Sequence, residues 1–530
     1  MTLPPGVRSK DFTDALKQFG EAVGKEWVFT SDEDVNLYRD SFSPFWHEEE
    51  DPVPSAAVAP NSVEQVQAVL KVANQYKIPL WTISTGRNLG YGGSAPNMSG
   101  IVMLDLKRMN RVLDVNEANA SCLVEPGVNY FDLYKHIQDR KLKLWLDPPD
   151  PGWGSPVGNT CERGGGYTPM RDHFEAHCGM EVVLPNGDVV RTGMGALPGA
   201  KTWQQYRYGF GPYLDGIFTQ SNFGVVTKMG FWLMPEPEAH ITGIVSAPRH
   251  DDLPRFVEIL SYLLNTGAVQ GTTRIFPGVG FTFGPPDPEY QALRAKPGGP
   301  SNAELEAYAL KKGVGFWSTT LPFYGAPKVI AAQWEYAKEK FSAIPGITFR
   351  DGASYRFPLS PGEIEKIADP VSLGIPNLSF FGRPGPRSEG HIFFAPIIPM
   401  SGEGVFEAQK VFDKAFADVG QTANRGFLFP QSYFPRSFVV IFTFPIEHDV
   451  EKNKKNREMY KHLVKVAAEN GYGEYRTHTA FMQDAMNAYS FNNYSLLRTH
   501  EAIKDALDPN GILAPGKNGI WPKRLRKARA

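Results

Sequence analysis

Ser84-Thr-Gly-Arg-Asn-Leu-Gly-Tyr-Gly-Gly-Ser-Ala-Pro96 is the stretch on which the fold turns. It follows a short apolar run, Leu80-Trp-Thr-Ile83, whose composition predicts a buried strand. Glycines at 86, 90, 92 and 93, with small polar residues between them, leave many backbone N–H groups unobstructed. Such a loop can close into a concave nest and hold an anion, most often a phosphate. The lysine and following Ser/Thr of a P-loop are missing, as is the G-x-G-x-x-G spacing of the dinucleotide fold. Alone, the stretch reads equally well as a glycine-rich surface turn, so its neighbours must decide.

Upstream, Ser62 opens a helix with Gln65 three residues on, as in a capping box, and Val66, Val69, Leu70 and Ala73 form one face. Pro79 ends it. Residues 11 to 25 form a second amphipathic helix. Strand, helix and strand alternate here, which makes the N-terminal region α/β. Downstream, Ile101–Asp105 reads as a buried strand, 112–124 as a β-meander and 129–139 as a helix. Residues 181–191 form a hairpin around Pro-Asn-Gly187, and Gly224–Leu233 forms a closing strand. Prolines and charges at Met234-Pro-Glu-Pro-Glu238 mark a domain boundary. From about 240 to 470, helical stretches (251–266, 325–343, 403–418, 450–469) alternate with strand-like runs such as Phe438–Thr443, a pattern that suits an α+β domain with helices on an antiparallel sheet. The Pro-Gly-rich stretches near 284–300 and 382–390 read as excursions at its edge.

A chain of 530 residues is too long for one core. Its net charge of -2 gives no case for a nucleic acid or an anionic membrane as partner. Cys122, Cys161 and Cys178 form no disulfide framework and no zinc spacing, and suit a reducing compartment. No signal peptide, peroxisomal tripeptide or membrane-spanning run is visible, so a cytoplasmic location is expected. A G-x-S-x-G elbow is absent, which removes the serine-hydrolase reading.

Two further glycine-rich clusters carry chemistry. One is Asp147-Pro-Pro-Asp-Pro-Gly-Trp-Gly-Ser155, continuing through Gly158-Asn-Thr160 and Arg163-Gly-Gly-Gly-Tyr167; the other is Gln220-Ser-Asn-Phe-Gly224. Three small-residue loops at strand ends favour a clasp for a long, phosphate-bearing cofactor over three unrelated turns. In Gly471-Tyr-Gly-Glu-Tyr-Arg-Thr-His478, Tyr475 offers a hydroxyl and Arg476 a permanent cation, a pair suited to an anionic oxygen. His391 stands before the buried run 392–395 and by itself reads as a structural histidine.

Taken together these segments resemble the vanillyl-alcohol oxidase family of flavoproteins, which includes the eugenol oxidases and, more distantly, p-cresol methylhydroxylase. The resemblance runs from about residue 55 to 522. It rests on Ser84–Pro96, Pro149–Ser155, Arg163–Pro169, Arg191–Pro198, Gly473–His478 and Asp508–Lys517. It implies an α+β, two-domain flavoprotein: an FAD-binding domain from both chain ends (1–238 and 472–530) and a central cap (239–471) with an antiparallel sheet covered by helices. The flavin would lie against Thr85, Gly86, Arg87, Asn88, Leu89, Gly90 and Tyr91 of the first loop, and Pro149, Asp150, Gly154, Ser155, Gly158, Asn159, Glu162, Gly165 and Tyr167 of the second. Gly224, Val225 and Val226 of the third, with Arg476 and Lys517, would complete the FAD site. In the oxidase branch a cap histidine bonds covalently to the 8α carbon of the flavin, and His391 occupies that position; the methylhydroxylase branch uses a tyrosine.

The same resemblance places Tyr91, Tyr475 and Arg476 around the oxygen of a para-substituted phenol, where they would stabilise the phenolate. A hydride could then leave the benzylic carbon for flavin N5, giving a p-quinone methide, with Asp150 beside N5 as acid/base or electrostatic partner. Oxygen would be the final acceptor, forming hydrogen peroxide, and a homodimer or higher homo-oligomer is expected. Residues 431–437 and 270–385 depart from the family's wording, which leaves substrate specificity open. Two alternatives stay open: a dehydrogenase of the same fold passing electrons to a cytochrome or quinone, and a flavin-binding module without catalysis.

Overall fold

The computed structural model describes residues 2–278, 287–296, 299–378, 389–419 and 430–526. The strand ahead of the first glycine loop, Leu80–Ile83, is an edge of a four-stranded sheet, in the order Val28–Phe29, Ala56–Val58, Val102–Asp105, Leu80–Ile83. Ala56–Val58 and Leu80–Ile83 both run parallel to Val102–Asp105. Parallel strands need a crossover, and the helix Val63–Tyr76 supplies it. Ser62 caps this helix by accepting from the Gln65 backbone N–H. The Gln65 side chain takes its bond from Asn61 N at 2.8 Å, one residue short of the reciprocal capping-box partner. Val66, Val69 and Leu70 pack against Phe12 and Phe19 of the helix Ser9–Val23 in one core, and Lys77 ends the crossover in a left-handed conformation.

A five-stranded antiparallel sheet follows, ordered Val112–Asn116, Ser121–Val124, Val225–Trp232, His177–Val183, Val189–Arg191. The expected hairpin at 181–191 is present, with Gly187 at φ +92° and its N–H donating to the Leu184 carbonyl.

Beyond residue 238 the chain builds an antiparallel sheet of Ile275–Pro277, Trp317–Gly325, Ala239–Ala247 and Thr348–Arg356. The helices Leu253–Asn265 and Pro327–Phe341 bury Phe256, Leu260, Trp334 and Phe341 in its core, which also takes in residues of Gly402–Asp418 and Val450–Glu469. The run Phe438–Thr443 is two strands where one was expected. Ser437–Val439 pairs with Ile397–Pro399, and Phe442–Ile446 pairs with Gly390–Phe394. The partner chain is itself interrupted at Ala395-Pro396, so the run changes partner; Val440 N donates to the Pro396 carbonyl at 3.1 Å between the two pairs. Within 284–300, the stretch read as an excursion contains a helix, Pro288–Arg294, capped by Asp287. Residues 284–286, 297–298 and 382–388 lie outside the described residues, as does the end of the basic tail, 527–530.

The C-terminal segment returns to the first sheet. Leu80 N donates to the Ile512 carbonyl and Ala514 N to the Leu80 carbonyl, both at 2.7 Å. Lys504, fully buried, donates at 2.7 Å to the carbonyls of Asn222 and Leu513 and to the Asp508 carboxylate. Burial drives its ammonium down to about 8 against the pull of Asp508. Among the described residues, no helix is long and apolar enough to cross a membrane and no cluster of His, Cys, Asp and Glu could hold a metal ion.

Candidate active site

The first glycine loop closes on itself in the way its glycines permit. Gly86, Gly90, Gly92 and Gly93 all have positive φ, and Asn88 O accepts from both Tyr91 N and Gly93 N. Gly90 can be nothing larger: a Cβ there would lie 2.6 Å from the Phe393 ring and 3.3 Å from His391 Cδ2. The loop is therefore seated on the strand Gly390–Phe394, with Phe393 N donating to the Gly90 carbonyl. The second cluster is organised by Asp147, whose Oδ1 accepts from Tyr167 N and Thr168 N at 2.9 Å and whose Oδ2 lies 3.2 Å from His173 Nε2. Gly166 lies against that carboxylate, and a Cβ there would overlap Oδ2 at 2.2 Å.

The three loops line one groove. Thr85, Gly86, Arg87, Asn88, Gly154, Ser155, Gly158, Asn159, Glu162, Gly224, Val226, Arg476 and Lys517 are on its wall. Lys517 is ion-paired with Glu162. Burial would raise the Glu162 carboxyl, but Lys517 and Arg476 outweigh it and hold it below the usual range. The residues present fit a dinucleotide flavin. Asn222 Oδ1 and Arg476 Nε are buried on this wall with no hydrogen-bond partner among the described residues. Gly154 lines the groove, and a Cβ built on it would meet nothing nearer than 4.0 Å.

The groove adjoins a cavity of about 480 Å³ lined by Leu89, Tyr91, Pro149, Asp150, Gly165, Tyr167, His391 and Tyr475, with Arg87, Gly154, Asn159 and Arg476 shared between the two. The Tyr91 and Tyr475 hydroxyls are 3.4 Å apart, and the Arg476 guanidinium sits 4.2 Å from the Tyr91 ring centroid. Arg476 also donates to Asn88 Oδ1 of the first loop, and Gln220 of the third loop donates to the Tyr475 carbonyl at 2.7 Å. Burial, and then its neighbour Tyr475, raise the Tyr91 phenol well above its ordinary value despite Arg476, so Tyr91 is a proton donor at neutral pH. His391 lies among Phe42 and Phe393, and burial lowers its imidazole, favouring the neutral ring.

Two expected cofactor contacts land elsewhere. Val225 faces the N-terminal core, because side chains alternate along the strand and Gly224 and Val226 take the groove face. Gly90 lines neither space and serves the packing against Phe393. Trp81, Arg274, Phe393 and Thr479 line the site without having been singled out. Trp81 stood in the strand feeding the loop. A single arginine such as Arg274, far from any motif, carried no signal.

Glu474 sits behind the Tyr475–Arg476 arm. Its Oε1 accepts from Tyr460 OH at 2.7 Å and from Ala395 N, while Tyr460 OH also contacts the Phe393 carbonyl and Thr477. Burial pushes this carboxyl up to about 8 from an ordinary 4.5. An unfolded chain would release the proton near the ordinary value, so the folded state holds more protons between the two. The contribution of this group to stability is therefore full below about 4.5 and falls as pH rises toward about 8, by roughly 1.4 kcal/mol per unit. Glu474→Gln should flatten that fall, measured as denaturant midpoints at pH 5.5 and pH 7.5; parallel curves for the two proteins would refute it.

Comparisons with known proteins agree with this geometry. A family model described as an FAD binding domain matches residues 54–193, and one described as the C-terminal domain of FAD linked oxidases matches 435–518. The chain is 34% identical to the flavoprotein subunit of 4-cresol dehydrogenase (hydroxylating) from Pseudomonas putida, over 98% of this chain and 97% of that protein. Its structure resembles that of p-cresol methylhydroxylase with substrate bound (TM-score 0.84, 32% identity, 98% of this chain and 99% of that one). It is equally similar to 4-ethylphenol oxidase from Gulosibacter chungangensis in complex with isoeugenol (TM-score 0.84, 36% identity, 99% and 100%). Glycine loops, groove, fold and near-full-length similarity converge, and the chain belongs to the vanillyl-alcohol oxidase/p-cresol methylhydroxylase family of FAD-dependent oxidoreductases.

Proposed function

We propose that this protein is an oxidase of para-substituted phenols, with an FAD-binding domain from 1–238 and 472–530 and a cap from 239–471. The observation that carries this reading is the convergence of Tyr91, Tyr475 and Arg476 on one wall of a cavity that adjoins the loop-lined groove. FAD, when bound, supplies the two-electron acceptor. Two hydroxyl donors and a fixed cation lower the pKa of a bound phenol, so that it sits as a phenolate. The phenolate pushes electron density toward the para carbon, which lets the benzylic C–H bond give up hydrogen and both electrons. Asp150, on the same cavity, stabilises the electron-poor carbon of the resulting quinone methide or manages the proton of an added water. His391 is the group we assign to covalent attachment. Its neutral imidazole and its place between Phe42 and the glycine loop support that role. Buried thiols at Cys122 and Cys178 and the lack of disulfides suit a cytoplasmic location.

The test is anaerobic: para-alkyl, allyl and hydroxymethyl phenols should bleach the flavin, and air should restore it with release of hydrogen peroxide. A panel in which no phenol bleaches the flavin would defeat the proposal. A second reading is favoured by the 4-cresol dehydrogenase relative, a flavoprotein subunit: electrons would pass to another acceptor. Slow reoxidation in air-saturated buffer, with fast turnover on an artificial one-electron acceptor, would select it. His391→Ala should free the flavin on acid precipitation while leaving the fold intact; the wild-type band should fluoresce on a denaturing gel. Flavin released from wild type on precipitation would exclude the covalent link. A homodimer or larger homo-oligomer is the assembly we expect, and mass measured in solution decides it.

A further inference from the structure

We propose that Arg274, Gln431 and Tyr433 form a second polar subsite in the cavity, which recognises a carboxylate at the far end of the substrate's para side chain; this rests on the phenol-oxidising reading above. The two segments that carry it were those departing from the family's wording, and the backbone zips them together. Arg274 and Gln431 form a β-bridge, Ile275 N donates to the Pro430 carbonyl and Ser432 N to the Thr273 carbonyl at 3.0 Å each, and Thr273 N donates to Ser432 Oγ at 2.9 Å. The side chains are fixed on that frame. Arg274 Nε donates to Gln431 Oε1 at 3.0 Å, and its guanidinium lies 4.7 Å from the Tyr167 ring centroid. The Tyr433 hydroxyl is 2.8 Å from Gln431 Oε1 and 3.1 Å from the Tyr167 hydroxyl.

The hydrogen-bond and ring partners of Arg274 are neutral; Asp369 acts on it electrostatically, but none of the ion pairs among the described residues includes Arg274. A guanidinium is always charged, and one withdrawn from water without an ion-pair partner keeps its attraction for an anion. Its planar fork matches a carboxylate with two parallel bonds. The phenol-oxygen group of Tyr91, Tyr475 and Arg476 is a separate set on the same cavity, and Phe434 stands against Tyr475 between the Tyr433 segment and that set, with ring centroids 5.6 Å apart. Arg274 thus gives the cavity a cation besides Arg476 and Arg87, suited to a molecule that is a phenolate at one end and a carboxylate at the other. A plain alkyl tail would leave Arg274 facing apolar atoms.

The experiment compares 3-(4-hydroxyphenyl)propanoate with 4-propylphenol on the flavin-loaded enzyme, by kcat/KM and by anaerobic flavin reduction, in wild type, Arg274→Met and Arg274→Lys. Wild type should favour the carboxylate by about tenfold or more, and the preference should shrink with added salt. Arg274→Met should lower the ratio of the two kcat/KM values by about tenfold, and Arg274→Lys should restore part of it. Equal or better turnover of 4-propylphenol by wild type overturns the subsite while leaving the phenol reading intact. A loss shared equally by both substrates in Arg274→Met also overturns it, because Arg274 would then serve Asp150 on the same cavity. If neither compound bleaches the flavin, the phenol reading itself falls, and the subsite with it.

Discussion

Arg476→Ala is expected to lower kcat/KM for a 4-alkylphenol by ~10²–10³-fold, the usual cost of removing one donor aimed at developing negative charge in a water-poor site. Arg476 has three attachments that no other residue could reproduce. Its guanidinium lies over the Tyr91 ring, it donates to Asn88 of the glycine nest, and it forms part of both the groove and the cavity. The loss should depend on pH in a defined direction. With the cation gone, the bound phenol ionises closer to its value in water, so activity should recover as pH rises toward that of the free phenol. The measurement is the pH profile of kcat/KM for both proteins, with flavin content checked by absorbance. An Arg476→Ala enzyme within about threefold of wild type at neutral pH, with an unmoved profile, would show that the phenolate is held by other groups.

Lys504→Met is expected to destabilise the protein by ~3–5 kcal/mol, although Lys504 lies outside both the groove and the cavity. Its ammonium and the Asp508 carboxylate are both fully buried, and the same nitrogen binds the carbonyls of Asn222 and Leu513. Asp508 in turn accepts from Ile512 N and Leu513 N at 2.9 Å, which shapes the turn that brings the C-terminal segment to Leu80. Removing the cation leaves a buried carboxylate without its partner and two carbonyls without a donor. Asn222, Leu513 and Ala514 line the groove, so flavin incorporation during folding should fall along with stability. Urea midpoints and the flavin content of the purified protein would test this. Unfolding and flavin content equal to wild type would show that the chain repairs the site with water or a shift of Asp508.

Several features of this molecule were legible in residue order because they are local. The nest at 84–93 depends on glycines that take positive φ, the Ser62 cap on a side chain three residues from its donor, and the hairpin at 187 on a turn that bends within four residues. The pair Tyr475–Arg476 stood out because a hydroxyl and a permanent cation are adjacent in the chain. Periodicity also marked the helices Leu253–Asn265, Pro327–Phe341 and Val450–Glu469. What residue order could not show is which distant groups meet. The division of Phe438–Thr443 between two partners follows from a proline about forty residues earlier, and the diversion of Val225 into the core follows from the pairing of its strand. Arg274 becomes part of a site only because backbone bonds seat its strand against Gln431. Patterns of polarity and turn chemistry act over a few residues and can be read directly. The union of Tyr91, His391, Tyr475 and Arg476 around one cavity is set by long-range packing, whose free energy is shared by the whole core and written at no single position.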